Sequence, residues 1–428
     1  MTTETARPAA DASVSDQIAS RRPRFAALHS RNFRILWFGL IFSNVGAQMQ
    51  MIAESWLILQ LTNSPLALGI MSLCFGIPMI TLPMIGGVVA DRFDRITVLK
   101  FTQAEELTIP LIMAGIIFSG HLHVWMLYAG AVLGGTMLAF DNPARQALLP
   151  GLVPPEDLMN ATALMSAVWT GALLVGPALG GVILGAFGAG WLFAINGVTT
   201  LSVVVAIYSL RDVRTRKESR VESGVQRLVG GLRYAAAHRG VLALLGLTLA
   251  TGLLGRSYAT LLPIYARDLW HTGPRGYGLL LMAPGAGSLI GAFGVAALGD
   301  VKSKGRFVVI ANALYCASLI LFSLLPPYFV GMGLLVIAGL ASTAFGAAIG
   351  TMLQFATPGS LRGRVMSLYT VAVIGGASLG GLIGGALAQA LNAQLAVGLG
   401  VAVLFVATIA LARSVMHPMP VPPNEAAA

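Results

Sequence analysis

Long apolar segments recur along the whole chain, and they constrain its fold more than any other feature. Breaks at charged, Pro, Gly or Asn residues leave twelve such segments, and a helix of about 20 residues is long enough to cross a bilayer. They lie near residues 33–61, 66–89, 97–119, 123–142, 160–185, 191–210, 241–264, 276–298, 307–326, 328–350, 366–390 and 393–412. Because the runs are continuous rather than alternating, they predict helices and not a membrane β-barrel. The predicted fold is an all-α membrane protein with 12 transmembrane helices in two six-helix bundles.

The scarcity of charge supports the same fold class. Charged residues make up 10% of the 428 residues and hydrophobic residues 56%, whereas about a quarter of an ordinary soluble domain is charged. So few charged side chains cannot cover the surface of a soluble globule of this size. The composition therefore excludes a soluble protein, and most of the surface must face lipid.

The basic residues are distributed unevenly between the predicted loops. All of the 27 Lys and Arg residues except Arg256, Arg267 and Arg275 fall in the two tails, the central polar segment and alternate loops. Lys and Arg concentrate on the cytoplasmic side of membrane proteins, so we expect a multi-pass protein of the cytoplasmic membrane with both termini in the cytoplasm. The net charge of +10 then reflects orientation in the lipid bilayer, and it predicts no nucleic-acid partner.

A weak internal repeat relates the two halves of the chain. A shift of 209 residues superposes Gly69 on Gly278, and a shift of 204 residues superposes Gly180-Gly181 on Gly384-Gly385. Parallel six-helix repeats joined by a charged linker are typical of secondary transporters that bind substrate between the repeats. The repeat thus favours a transporter.

The repeat and the span positions together predict the domain organisation. We expect a cytoplasmic tail over 1–32, six-helix bundles over 33–210 and 241–412, a cytoplasmic linker over 211–240 and a second tail over 413–428. Four apolar linker residues at helical spacing predict an amphipathic helix on the membrane surface. They are Val225, Leu228, Val229 and Leu232.

The loop between the second and third predicted spans carries a motif. Its sequence, Gly87-Val-Val-Ala-Asp91-Arg92-Phe-Asp94-Arg95, resembles the G-x-x-x-D-R-x-G-R signature of the major facilitator superfamily, with Asp94 in place of the usual Gly. The resemblance implies that Gly87, Asp91, Arg92 and Arg95 form a conformational gate that stabilises the outward-open state. The alternative is that these residues are cytoplasmic anchors beside a helix.

Predicted span five contains a glycine and proline motif. Gly176-Pro177-Ala-Leu-Gly180-Gly181 resembles the end of the signature associated with exporters of this superfamily, although Ala163 and Ala172 stand where that signature has glycines. Pro177 removes a helix hydrogen bond, and the glycines allow a kinked, closely packed helix that can seal a pathway. A glycine-rich packing face without directional meaning remains the alternative.

Three further segments resemble one branch of the superfamily, the enterobactin-exporter-like and macrolide-efflux-like facilitators. They are Phe33-Arg34-Ile-Leu-Trp37 with Trp56-Leu-Ile-Leu-Gln60, Asn142-Pro143-Ala144-Arg145-Gln146, and Pro358 with Leu361-Arg362-Gly363-Arg364-Val365. The resemblance implies export of an amphiphilic small molecule, such as a siderophore or macrolide, in exchange for protons. Span four lacks the mid-membrane Arg that many drug antiporters of the superfamily carry.

Apart from basic residues at the span ends, five ionisable residues lie inside predicted spans, where each costs about 2.5 to 3.5 kcal/mol. They are Glu54, Glu105, Glu106, Asp141 and Arg256. We expect Glu54 and Arg256, from the first span of each half, to meet at an external gate or substrate site and to take part in proton coupling. Alternatively, Glu54 lies at the outer membrane interface and is hydrated by the water outside.

Glu105 and Glu106 point about 100° apart, so at most one is expected to face the cavity. Asp141 and Arg145 are spaced for a local ion pair.

Neutral polar residues in the spans are candidates for the substrate cavity, or else for helix packing. They are Asn44, Gln48, Gln50, Tyr258 and Gln354. No phosphate-binding motif, catalytic cluster or metal-ligand cluster is visible, so we predict neither an enzyme nor a cofactor or metal.

These observations favour a monomeric exporter of a small amphiphile that works by alternating access and proton antiport. An importer with the same fold, or a receptor or assembly protein without transport, is the alternative.

Overall fold

The computed structural model describes residues 25–82, 94–211, 224–299, 301 and 303–416, and thirteen α-helices account for most of them. The helices are α1 (Arg31–Thr62), α2 (Pro65–Thr81), α3 (Arg95–Phe118), α4 (Val124–Leu148), α5 (Leu158–Phe187), α6 (Ala189–Tyr208), α7 (Gly224–Ala237), α8 (Arg239–Leu269), α9 (Gly273–Leu298), α10 (Lys304–Ser323), α11 (Tyr328–Phe355), α12 (Gly359–Ala390) and α13 (Ala393–Met416).

The apolar runs correspond to these helices. Eleven of the described helices are long and apolar enough to cross a membrane. Helix α2 is apolar but only 17 residues long, and residues 83–93, which include the rest of the predicted span 66–89, lie outside the described part. The prediction of an all-helical membrane protein is confirmed.

Local sequence determines where several helices begin and end. Ser64 caps α2 by accepting a hydrogen bond from the backbone N–H of Ala67 (3.3 Å), and Pro65 occupies the first turn, where its missing N–H costs nothing. Asp94 caps α3 in the same way, accepting from the N–H of Thr97 (3.1 Å). The residue that departs from the superfamily signature therefore starts a helix here. Helix α1 ends at Asn63 in the left-handed conformation, with φ +50°.

Helix α8 is not regular along its length. Two π-helical turns, Thr251–Gly255 and Tyr265–Leu269, interrupt the α-helical hydrogen bonding. A π turn contains an extra residue, so it rotates the following side chains by about 100° relative to an uninterrupted α-helix. Arg256 directly follows the first π turn, and Arg267 lies in the second.

The helices pack in two groups, which we call the first half (α1–α6) and the second half (α8–α13). In the first half, α1 packs on α5 and α6, while α3 packs on α4 and α6. In the second half, α9 packs on α11, α10 on α11 and α13, and α8 on α12 and α13. The halves meet where α2 packs on α12, α5 packs on α9, and α8 touches α1 and α2.

Helix α7 lies between the halves in sequence and packs on α12. A Cβ atom added at Gly231 would lie 2.8 Å from the carbonyl oxygen of Arg364, so the two backbones are close. The Tyr234 hydroxyl donates to the carbonyl oxygen of Ala356 (2.8 Å). Of the four apolar residues expected on one face, only Leu232 has a described side chain, and it is exposed. Membrane contact by α7 stays a prediction.

Candidate functional site

Two equivalent glycine pairs bring the halves together. A Cβ atom at Gly181 of α5 would lie 2.8 Å from the Cα of Gly278 in α9, and one at Gly385 of α12 would lie 3.2 Å from the Cα of Gly69 in α2. The sequence repeat superposes Gly69 on Gly278 and Gly181 on Gly385. The two contacts are therefore the same contact made twice, with the roles of the halves exchanged. Side chains larger than hydrogen would prevent such close approach of the backbones.

Polar contacts across the halves lie at the same end of the molecule. We call this the closed end, and it contains the turns at residues 63–64, 270–272 and 391–392. The Arg267 guanidinium of α8 donates to the carbonyl oxygen of Leu59 and to Asn63 Oδ1, both at 2.9 Å. The Ser64 hydroxyl donates to Gln389 Oε1 at 2.8 Å. Arg267 also pairs with its neighbour Asp268, so its charge is partly balanced.

An aromatic stack lies just inside these polar contacts. Trp56 of α1 stacks on Tyr277 of α9 with 5.9 Å between ring centroids, and both side chains are buried. Arg267, Trp56 and Tyr277 were not expected to form a gate. The available signal for Arg267 was that it is one of three basic residues outside the predicted cytoplasmic loops and tails.

The glycines of the span-five motif face two different helices. Cβ atoms at Gly176 and Gly180 would approach α1, at 3.1 Å from the carbonyl oxygen of Val45 and 3.2 Å from the Cα of Met49. Gly181 faces α9 in the other half. Pro177 is buried in the same stretch of α5. The motif thus packs α5 within its own half and, through Gly181, across the halves.

A buried polar cluster joins α3 to α4 in the first half. Asp141 is 2% exposed and accepts hydrogen bonds from Thr102 Oγ1 (3.2 Å), Gln103 Nε2 (3.0 Å) and Arg145 Nε (2.9 Å). The local Asp141–Arg145 ion pair that the spacing predicts is present. Gln103 Nε2 also donates to Glu106 Oε2 at 2.6 Å, so one amide connects the two carboxylates. Sequence reasoning missed Gln103 because it is uncharged.

Glu54 belongs to a different hydrogen-bonded chain. Asn196 Nδ2 of α6 donates to Gln50 Oε1 (2.7 Å), and Gln50 Nε2 donates to Glu54 Oε1 (2.7 Å). Within the described residues Glu54 makes no ion pair with Arg256, so the expected contact between them is absent from this conformation. The bond to Gln50, one turn earlier on α1, occupies the carboxylate instead.

The other expected cavity and gate residues have varied surroundings. Asn44 donates to the carbonyl oxygen of Leu40 on its own helix (2.8 Å), and the buried Gln48 Oε1 has no hydrogen-bond partner among the described residues. Glu105 is half-buried, and the side chain of Gln354 is exposed. Arg95 Nη1 donates to the carbonyl oxygen of Ala147 at 2.7 Å. Three predicted gate residues, Gly87, Asp91 and Arg92, lie outside the described residues.

Comparison with known proteins identifies the family. The sequence pattern of the transmembrane secretion effector family, within the major facilitator superfamily, matches residues 22–427. This chain belongs to that family. It is similar to the enterobactin exporter EntS of Escherichia coli (strain K12), with 28% identity over 419 residues that cover 94% of this chain and 95% of EntS. EntS of Shigella boydii serotype 4 (strain Sb227) is 28% identical over 399 residues, which cover 89% of this chain and 90% of that protein.

Solved structures agree on the fold. The nucleoside transporter NupG superposes with a TM-score of 0.71 at 12% identity, covering 90% of this chain and 100% of NupG. A bacterial homologue of the iron transporter ferroportin superposes with a TM-score of 0.67 at 17% identity, covering 90% of this chain and 98% of that chain. The predicted superfamily and fold are confirmed. The chain is a multi-pass secondary transporter and not an enzyme.

Proposed function

We propose that this protein exports an amphiphilic small molecule across the cytoplasmic membrane by alternating access, in exchange for protons. The observation that carries the proposal is the pair of equivalent glycine contacts, Gly181 with Gly278 and Gly69 with Gly385, which hold the halves together at the closed end. Two halves joined by symmetric contacts at one end, which form when that end closes and separate when it opens, can face either side of the membrane in turn. The similarity to exporters named for enterobactin, over 94% of the chain, supports outward transport.

The distribution of basic residues supports an orientation. Both termini, the linker and the basic loops lie on the cytoplasmic side under the positive-inside rule. The closed end contains the turn at residues 63–64, after the first span, so in this orientation it faces outward and the conformation is inward-facing. In that conformation a substrate enters from the cytoplasm or the inner leaflet, between the halves.

Arg267 would then be an outer latch. Its two hydrogen bonds to the end of α1 and the Ser64–Gln389 bond must break before the closed end opens. The loop motif, with Gly87, Asp91, Arg92 and Arg95, would act on the opposite side, where it stabilises the outward-open state. The span-five motif, Gly176 through Gly181, would act at the closed end. Asp141 and Arg145 would anchor α4 near the loop motif.

Two hydrogen-bonded chains are candidates for proton coupling. In one, Asn196 and Gln50 orient Glu54. In the other, the amide of Gln103 connects Glu106 to Asp141. Protonation of Glu106 would weaken its bond to the Gln103 amide, because a neutral carboxyl is a poorer acceptor than a carboxylate. Glu106 is therefore a stronger candidate than Glu105, which makes no hydrogen bond among the described residues.

The substrate would contact the neutral polar residues of the spans. Gln50 is the best placed of these, because it donates a hydrogen bond to Glu54. Asn44, Gln48, Tyr258 and Gln354 complete the proposed cavity set. The unit of function is a monomer with two bundles, 33–210 and 241–412, and its partners are the substrate, protons and the lipid bilayer.

Transport in inverted membrane vesicles tests the proposal. Vesicles that expose the cytoplasmic side should accumulate amphiphilic dyes or siderophores when their lumen is acidified, and substrate addition should release protons. Vesicles from cells with the Gly181→Ala variant, which disrupts the closed end, provide the comparison. Substrate accumulation only in right-side-out vesicles would instead indicate an importer, and an absence of substrate-dependent proton flux in both would indicate a protein without this transport activity.

A further inference from the structure

Arg256 is a cation inside a predicted span, and no acidic side chain among the described residues pairs with it. Its side chain is exposed in the structure, and it makes no hydrogen bond or ion pair with another described residue. The ion pairs given by the described residues are Arg145 with Asp141 and Arg267 with Asp268. An arginine in a span is costly and normally faces a partner or a water-filled cavity. The part of the chain that the structure describes supplies no partner for Arg256 in this conformation.

The side chain of Arg256 lies on the face of α8 that is directed toward the space between the two halves. Thr260 is one turn nearer the closed end on the same face. Thr260 Oγ1 of the second half and Ser72 Oγ of the first half lie 2.9 and 2.6 Å from the position of a Cβ atom added to Gly381. That face therefore meets α2 and α12 at the closed end. Arg256 lies one helical turn further from the closed end than Thr260. Its side chain therefore faces the space that the two halves enclose.

Three tyrosines lie within electrostatic range of the Arg256 guanidinium. The charge of Arg256 is close enough to act electrostatically on the phenols of Tyr258, Tyr315 and Tyr369. Tyr315 donates to the carbonyl oxygen of Gly255 (2.9 Å), which fixes its ring behind the π turn. Tyr258 is buried and lies two residues after Arg256, so its side chain points about 200° away around the helix. The guanidinium is therefore the group that can bind an anionic oxygen group on the face of Arg256.

We propose that Arg256 binds an anionic oxygen group of the transported amphiphile, such as a sulfonate or carboxylate. This proposal rests on the proposed transport function and narrows its substrate class to anions. The substrate supplies the negative charge that the span lacks. The apolar part of the substrate then lies against the aromatic and aliphatic side chains between the halves.

Two probes with the same apolar skeleton test the charge requirement. One is 8-anilinonaphthalene-1-sulfonate, an anion, and the other is N-phenyl-1-naphthylamine, which lacks the sulfonate. Binding is measured by fluorescence with the full-length protein in nanodiscs, after subtraction of empty nanodiscs. We expect Arg256→Gln to weaken binding of the sulfonate at least tenfold, about 1.4 kcal/mol, and to leave binding of the neutral probe unchanged. Arg256→Lys keeps the charge and should retain part of the preference.

A matched control removes an arginine charge from the first residue of the same helix. Arg239 begins α8, about 25 Å from Arg256 along the helix axis, and Arg239→Gln should leave both probes unaffected. Equal loss of both probes in Arg256→Gln, or no loss of either, would overturn the proposal. The proposed function is tested separately by accumulation of the neutral probe in inverted vesicles, which corresponds to its export from the cell. Export of that probe together with an unselective Arg256 would refute the anion site and leave the exporter intact.

Discussion

Substitution of Gly181 by alanine tests whether backbone contact holds the closed end together. The new Cβ atom would lie 2.8 Å from both the Cα of Gly278 and the carbonyl oxygen of Pro274. Both atoms belong to the α9 backbone, so α5 and α9 must move apart, since no flexible side chain can yield. Overpacking of this kind costs about 1–3 kcal/mol. Because the cost falls on the closed conformation, the equilibrium should shift toward the open one by about 5- to 150-fold.

Alanine at Gly171 is the matched control on the same helix. A Cβ atom added there meets nothing within 4 Å. Both substitutions replace a helical glycine with alanine, which favours the helix by about 0.5–1 kcal/mol in each case. The difference between the two variants therefore isolates the contact with α9.

Distance measurements between spin labels can follow the opening. Phe187 and Phe329 are exposed, lie near the closed end and belong to opposite halves. With labels at these positions, and with Cys74 and Cys316 replaced by alanine, Gly181→Ala should populate longer distances than the parent protein. Gly171→Ala should match the parent. Identical distance distributions for the two glycine variants would refute the idea that this contact holds the end closed.

Three further substitutions, with Glu105→Gln as a control for the last, give separate outcomes. Arg267→Gln removes the charged donor to the end of α1 and should favour opening of the same labelled pair by about 1–3 kcal/mol; an unchanged distribution would mean that Arg267 is no latch. Glu54→Gln should abolish accumulation driven by a proton gradient but keep substrate exchange without a gradient, and export that remains normal across pH at matched expression would exclude a coupling role. Asp141→Asn leaves Arg145 without its carboxylate and should lower stability by about 1–3 kcal/mol, measured by thermal unfolding in detergent. Glu105→Gln should change it by less than about 0.5 kcal/mol.

The sequence predicts the helices well, because a segment that crosses a bilayer must be a long apolar run whose backbone N–H and C=O groups are hydrogen-bonded within the segment. It predicts poorly which neighbour each side chain meets, since that depends on the rotation of every helix. Gly180 and Gly181 are adjacent and so point about 100° apart, and this difference directs one to α1 and the other to α9. The motif alone does not distinguish them.

The expected contact between Glu54 and Arg256 is absent for a related reason. Spacing placed both residues on the first helix of a half, and both do lie there. The π turn before Arg256 rotates its direction relative to a regular helix, and no sequence pattern marked this turn. Gln103 was missed as the connection between Asp141 and Glu106 because an amide in an apolar run carries no distinctive signal.

The glycine pairs at the closed end have a thermodynamic consequence. Glycine has no side-chain rotamers to lose. Closure through Gly181 with Gly278 and Gly69 with Gly385 therefore gains dispersion contacts between backbones without a cost in side-chain entropy. The strength of closure would then depend on how closely these four Cα atoms approach.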